Sequence, residues 1–150
     1  MINIKKDLSN ITINATDARK NWSSVIDSVI REKKPKIIKR TRDYMVLTDL
    51  SVLENILEPY VFTADRYVED DGSITLSLVD IDLAENGKND EKALKKMAAA
   101  ILEYAEDYYK EFHIWAKGWR IPHIPYVFKA LILNDVEKIG GLITCRPGEI

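Results

Sequence analysis

The stretch that decides the fold of this chain is residues 14–57. It contains, in order, NATDARKNWSSVIDSV (residues 14–29), PKIIKR (35–40) and YMVLTDLSVLENIL (44–57). The first segment has the three-and-four spacing of apolar residues that is typical of one helix face. The other two combine β-branched runs with a short apolar helix. The sequence therefore predicts helix, strand, turn, strand and short helix in this order, within an α+β protein.

The first helix is expected to begin at Thr16 and to end near Glu32. Thr16 is a favourable N-cap, and Asp17 places a carboxylate in the first turn, where the helix dipole favours it. Pro35 disfavours helical backbone at the residue before it, so the helix cannot continue past this point. Trp22 falls on the apolar stripe, and we expect it on the buried face.

A hairpin and a second helix are expected to follow. The β-branched residues 37–38 and the run 44–48 predict two strands, and residues 41–43 are a plausible turn between them. The sequence SVLE (51–54) has the spacing of a capping box, which predicts the start of the second helix. Pro59 is expected to end it.

The charge of the chain is unevenly distributed. Residues 1–60 contain 11 Lys and Arg against 8 Asp and Glu, whereas residues 61–150 contain 11 against 16. The basic excess is sharpest from Arg31 to Arg42, where Glu32 is the only acidic residue. A basic module joined to an acidic one suggests two partners of opposite character, although small domains often differ by this much.

Length and composition limit the class of protein. A chain of 150 residues forms one domain or two small ones, and 46% apolar with 31% charged residues is a globular composition. No apolar run reaches 18 residues, and the N-terminal segment has no signal-peptide pattern. A lone Cys145 cannot close an intrachain disulfide. We therefore expect a cytoplasmic protein with no membrane partner.

The second half begins with a β-rich pattern. Residues 60–67 predict a strand, and Asp71-Gly72 is a strong hairpin signal. The acidic run that ends in this turn lacks the alternating spacing of a calcium loop. Residues 73–83 alternate between apolar and polar, but the phase shifts by one residue near Leu78–Val79, which predicts a β-bulge there.

A long helix and a shorter one are expected next. Asn89 can cap the long helix, and Pro125 suits the first turn of the shorter one. Residues 142–145 could form a last strand. Exposed Trp and Tyr in residues 113–150 would be interface anchors, whereas buried ones would be ordinary core, and the sequence leaves both readings open. The apolar stripe of the long helix consists of Leu94, Met97, Ala98, Ile101, Ala105, Tyr108 and Phe112.

The sequence contains little that is typical of catalysis. His113, His123 and Cys145 lack the close spacing of a zinc site, and there is no phosphate-binding glycine loop. Asp80 and Asp82 alone are too few carboxylates for a metal-dependent hydrolase of the ribonuclease-H type. We therefore predict no catalytic residues, no metal site and no cofactor.

The first half resembles the N-terminal domain of prevent-host-death (Phd/YefM) antitoxins. The resemblance rests on TDARKNW (16–22) and IIKR (37–40). It implies an α-β-β-α dimerisation and DNA-binding domain over residues 1–59. It also implies that Arg19 and Arg40 contact operator DNA, which fits the preference of arginine for guanine edges and phosphates. Supporting phosphate contacts are expected from Lys5, Lys6, Lys39 and Arg42.

The second half is similar to HicB-like antitoxin domains. The similar stretches are DDGSITLSLVDID (70–82) and GKNDEKALKKMAAAILEYAEDY (87–108), although residues 82–88 replace the proline–glycine segment of that family. The resemblance implies a β-hairpin and long helix within a truncated ribonuclease-H-like β-β-β-α-β unit. Residues 60–150, with an extra C-terminal helix, would then bind a toxin, which in that family is a small ribonuclease. No toxin-contact residue follows from it.

Together these resemblances predict a type II antitoxin that is not an enzyme. A homodimer would repress its own operon by binding operator DNA, and the second domain would neutralise a cognate toxin by direct binding. The alternative is a protein-interaction or small-ligand-binding module that has the antitoxin-like fold and no longer binds DNA. The acidic second half and an isoelectric point near 5.7 favour that alternative mildly.

Overall fold

The computed structural model describes residues 10–148 and has an α+β fold, as the sequence predicts. The chain divides into two compact units, Met1–Ile56 and Leu57–Ile150. Lys5 and Lys6, two of the predicted phosphate contacts, lie outside the described residues. The units differ in secondary structure and in packing, and each is described by itself.

The first unit is built on a small three-stranded sheet. Strand β2 lies in the centre, parallel to β1 and antiparallel to β3. The predicted hairpin is confirmed, with the turn at Thr41 and Arg42. The elements are β1 (Thr12–Asn14), α1 (Ala15–Lys20), α2 (Trp22–Glu32), β2 (Lys36–Arg40), β3 (Asp43–Leu47) and α3 (Leu50–Leu57).

The prediction of one continuous first helix is wrong, because the helix is interrupted at Asn21. The backbone N–H and the side-chain amide of Asn21 both donate to the carbonyl of Asp17, at 3.0 and 3.1 Å, and α2 begins at the next residue. Asparagine competes with the helical backbone in this way. The predicted N-cap is also wrong: Asn14 Oδ1 accepts the N–H of Thr16 at 2.8 Å, so Asn14 is the cap.

The start of α3 is fixed by Asp49 and not by the predicted capping box. Asp49 accepts the backbone N–H of Ser51 at 2.9 Å and also its hydroxyl. Lys33, which ends α2 with a φ of 54°, donates to the same carboxylate at 3.0 Å. The Ser51 hydroxyl and then the Lys33 ammonium lower the pKa of Asp49 from 3.8 to about 2. This ion pair ties the end of α2 to the start of α3.

The second unit packs helices against a four-stranded sheet. The sheet order is β6-β5-β4-β7, and β7 runs parallel to β4 although the two are about 80 residues apart. A 3-10 segment, Gly118–His123, lies between α5 and α6. The other elements are β4 (Phe62–Val68), β5 (Ile74–Leu78), β6 (Ala84–Gly87), α4 (Asp90–Lys110), α5 (Phe112–Trp115), α6 (Ile124–Leu133), α7 (Val136–Gly141) and β7 (Ile143–Pro147).

Most of the predicted elements of this unit are confirmed, but the prediction of a β-bulge is wrong. Gly72 occupies the hairpin turn with a φ of 83°, and Asn89 caps α4 by accepting the N–H of Lys92 at 2.9 Å. Instead of continuing through a bulge, β5 ends at Leu78, whose N–H donates to the carbonyl of Leu83 at 2.9 Å. The chain therefore turns, and β6 returns antiparallel to β5. A tight turn can shift the alternation of apolar and polar residues by one position, just as a bulge can.

The core of the second unit lies between the sheet and α4. Met97, on α4, and Leu76, on β5, are both fully buried in it. Gly87 brings the end of β6 so close to α4 that a Cβ atom would lie 2.4 Å from the backbone nitrogen of Ala93. The apolar stripe of α4 thus packs against the inward-facing apolar residues of the strands in one continuous core.

Candidate nucleic-acid interface

An open groove of about 760 Å³ lies in the first unit, between the start of α1 and the β2–β3 turn. It combines basic side chains with exposed apolar ones, which is the combination that base edges and phosphates require. Its lining residues are Asn14, Ala15, Thr16, Ala18, Arg19, Trp22, Ile38, Lys39, Arg40, Thr41 and Met45.

The pairing of β1 with β2 places two predicted DNA contacts in this groove. Asn14, the cap of α1, is the register partner of Lys39, so the first turn of α1 lies beside the end of β2. Ile38 is buried, and Arg40 projects from the same face of β2 because side chains alternate along a strand. Arg19 from the helix and Arg40 from the strand therefore line one groove, although they are 21 residues apart in sequence.

Both arginines are available to an anion. Their side chains are exposed, and within residues 10–148 neither has a carboxylate within 4 Å. A guanidinium presents a rigid fork of N–H donors that matches phosphate oxygens or the O6 and N7 atoms of guanine. Two such forks in one groove can hold a nucleic-acid backbone and read a base edge.

The remaining predicted contacts differ in their placement. Lys39 lines the groove, and its Nζ lies 5.6 Å from the ring centroid of Tyr44, its cross-strand neighbour. Arg42 is exposed in the β2–β3 turn and does not line the groove. The turn contains no glycine, and Thr41 adopts the left-handed conformation with a φ of 56°. The structure thus brings Arg19 and Arg40 together in the groove, whereas the Lys39 side chain lies over Tyr44 on the other face of β2.

Trp22 is exposed, which corrects the prediction that it lies on a buried face. Its side chain is 46% exposed and lines the groove together with Met45, which is 54% exposed. Because α1 ends at Asn21, Trp22 begins a new helix and does not lie on the buried face of α1 that contains Ala18. The apolar part of the groove was therefore missed by sequence reasoning, and only the alternation of β3 could have suggested Met45.

The histidines and carboxylates do not form a metal centre in the part of the chain that the structure describes, where no group of three or more potential ligands is found. His123 is buried, and its Nδ1 lies 2.6 Å from the hydroxyl oxygen of Tyr104. Burial and the nearby Arg120 lower the pKa of His123. Among the same described residues, no helix is both long and apolar enough to cross a membrane.

Comparison with known proteins gives a family and one solved structure. Residues 10–145 match the PHD-like family, described as antitoxins of RelE/RelB toxin–antitoxin systems. A crystal structure of the antitoxin part of a proposed toxin–antitoxin system from Syntrophomonas wolfei subsp. wolfei has a TM-score of 0.84 at 32% sequence identity. The similarity covers 91% of this chain and 98% of that one. No similar sequence was found among proteins of curated function.

Proposed function

This chain belongs to the PHD-like family of antitoxins, and from that premise we propose that its first unit binds operator DNA while its second unit binds and neutralises a cognate toxin. The antitoxin class that the sequence predicts is confirmed by the family match, and it indicates a regulatory, non-enzymatic protein. The division of labour between the two units is the proposal.

The observation that carries DNA binding is the groove that Arg19 and Arg40 share. Both guanidinium groups are exposed, neither has a carboxylate within 4 Å in residues 10–148, and Lys39 lines the same groove. Trp22 and Met45 add apolar surface that suits a thymine methyl group or a deoxyribose. We assign the arginines to base edges and phosphates, with Lys39, Arg42, Lys5 and Lys6 as additional phosphate contacts.

A homodimer is the state in which we expect the first unit to act. Within the described residues, β3 pairs with β2 alone, so its other edge is open, and Met45 and Val46 are exposed on this strand. An open apolar edge invites pairing with another chain. A two-fold axis would place two identical grooves on one side, as a palindromic operator requires.

Toxin binding is assigned to the second unit. What supports this assignment is its β-β-β-α order with a later strand in the same sheet, since a HicB-like domain is expected to be a β-β-β-α-β unit; α5, the 3-10 segment, α6 and α7 are additional to that unit. The first unit has two short helices, a hairpin and a third helix, which supports the α-β-β-α order expected of a Phd/YefM-like domain apart from the break between α1 and α2. We propose this fusion of two antitoxin types as the origin of the two units, and a cytoplasmic location with it.

The test of DNA binding is titration of a labelled duplex that contains the sequence upstream of this gene. We expect Arg19→Ala and Arg40→Ala each to weaken binding by about 10-fold or more, since a bidentate arginine contact contributes roughly 1–3 kcal/mol. Lys110→Ala, which removes a positive charge at the end of α4 in the second unit, is the matched control and should leave affinity unchanged. Wild-type affinity in both arginine variants would overturn the assignment.

The alternative function is a module with the same fold that has lost DNA binding. The acidic excess of the second half favours it, because it opposes attraction to nucleic acid. In that case the wild-type protein would bind the upstream duplex and an unrelated duplex equally weakly.

A further inference from the structure

Residues 112–134 differ in charge from the rest of the second unit. The unit as a whole is acidic, but these 23 residues include three lysines or arginines and no aspartate or glutamate. The ammonium group of Lys129 is already hydrogen-bonded within the unit, because its Nζ donates to the carbonyls of Leu57, Glu58 and Tyr60 at 3.4, 3.1 and 2.6 Å. The cations that this segment presents to solvent are Lys117 and Arg120.

The guanidinium of Arg120 lies over two indole rings. Its guanidinium carbon lies 4.7 Å from the ring centroid of Trp115 and 5.1 Å from that of Trp119. We call these three residues the Arg120 clamp. The backbone is fixed as well, because the hydroxyl of Tyr108 donates to the carbonyl of Arg120 at 2.7 Å. A guanidinium that is stacked in this way loses little freedom when it binds, and its N–H edges remain free to donate.

The rings of the clamp pack against other aromatic side chains of the second unit, but they are also partly exposed to solvent. Trp115 packs edge-on against Tyr104 at 5.5 Å between ring centroids, and Trp119 packs against His123 at the same distance. Trp119 is nevertheless 66% exposed. Ile114 and Ile121, in the same short segment, are also exposed. The clamp is therefore rigid and presents apolar surface around a cation.

The charge of Arg120 is not balanced locally. Asp80 and Asp82 act on the neighbouring His123, whose pKa they raise against the effects of burial and Arg120. Neither forms an ion pair with Arg120, and in the described part of the chain no carboxylate lies within 4 Å of this guanidinium. A fixed arginine with an unpaired edge is complementary to a carboxylate, with which it can form two parallel hydrogen bonds.

We propose that the Arg120 clamp is a docking site for a partner protein that inserts an aspartate or glutamate side chain, flanked by apolar residues, against the guanidinium of Arg120. The apolar flanks of the partner would cover Trp119 and its exposed neighbours, as tryptophan and arginine commonly do at the centre of interfaces. The acidic character of the second unit as a whole disfavours a nucleic acid as the occupant. This surface lies outside the groove of the first unit and does not depend on DNA binding.

The test uses NMR of the full-length protein with synthetic peptides as probes. One short soluble peptide contains a central glutamate between leucines, and its counterpart differs only by glutamine at that position. We expect the glutamate peptide to shift the Nε–H resonance of Arg120 and the indole N–H resonance of Trp119. It should bind about 10-fold more tightly than the glutamine peptide, because hydrogen bonds between charged groups are the stronger ones.

The matched variants are Arg120→Gln and Lys117→Gln, which remove the same charge from two positions of one segment, where Arg120 is half-buried and Lys117 is exposed. Arg120→Gln should abolish the preference for glutamate, and Lys117→Gln should reduce it by no more than about twofold, as expected of a charge at the rim. Near-ultraviolet circular dichroism of each variant checks that the tryptophans keep their packing. Equal binding of the two peptides to the wild-type protein would overturn the proposal, and so would tighter binding of a single-stranded oligothymidine than of the glutamate peptide.

Discussion

The two units of this chain are stabilised to very different degrees by their own cores. Of the twenty buried apolar residues in the described part of the chain, four lie in the first unit and sixteen in the second. Both units expose some large apolar side chains, but the basic excess lies in the first half of the chain. A unit with so small a core gains more from association than a unit with a large one, which is why we propose that the first unit acts as a homodimer.

This difference fits a division of labour. In the homodimer that we propose, the small basic units would gain stability from association and present two copies of the groove to DNA. Toxin binding is better served by a rigid platform, because preorganised side chains lose less freedom on binding.

The largest expected effect on stability is in the core of the second unit. Met97→Ala removes a fully buried side chain from the centre of α4 and should lower the free energy of unfolding by about 2–5 kcal/mol. Tyr109→Ala changes a residue of the same helix that is 60% exposed, and should cost much less. Chemical denaturation measures both, and equal losses would mean that the second unit is not organised around this core.

A smaller but more specific effect is expected on assembly. Val46→Lys places a charge on the open edge of β3 and should raise the dissociation constant of the homodimer by about 10-fold or more, because a lysine at a strand edge opposes pairing. Val68→Lys is a close control, since Val46 and Val68 are both strand valines that are 63% exposed. Sedimentation velocity over a range of concentrations distinguishes the two. A dimer that Val68→Lys disrupts and Val46→Lys does not would assign the interface to the second unit.

The smallest expected effect is the pH dependence of the link between α2 and α3. The folded-state pKa of Asp49 is lowered to about 2 by Ser51 and Lys33, below its ordinary value of 3.8. A depressed pKa contributes stability above pH 3.8 that is lost as the pH falls through about 2. Asp49→Asn should therefore lower stability at pH 7 and reduce its loss between pH 4 and pH 2.

The sequence predicts local structure well wherever the signal is short-range. The cap at Asn89, the turn at Gly72 and the stripe of α4 are each set by neighbours within a few residues, and each is confirmed. The parallel pairing of β4 with β7 was not predicted, because the contacts join residues about 80 positions apart. No periodicity encodes such a pairing.

The candidate site was predicted only in part for the same reason. The two motifs pointed to Arg19 and Arg40 separately, but the short strand β1 that brings them into one groove was not predicted, and neither was the break at Asn21 that exposes Trp22. The basic run that ends at Arg42 looked like one patch, yet Lys33 is bound to Asp49. The positions of charges could be read from the sequence, whereas their partners could not.

The measurement that tests the central claim most directly is the salt dependence of operator binding. For the wild-type protein, we expect the affinity for the upstream duplex to fall steeply as salt increases, because phosphate contacts release counterions. Removing one phosphate contact should make the slope of log affinity against log salt shallower by about 0.9 for each copy of the side chain. Arg40→Ala should show this change and Lys110→Ala should not. A slope that is the same for the wild-type protein and Arg40→Ala would contradict the assignment of the groove to DNA.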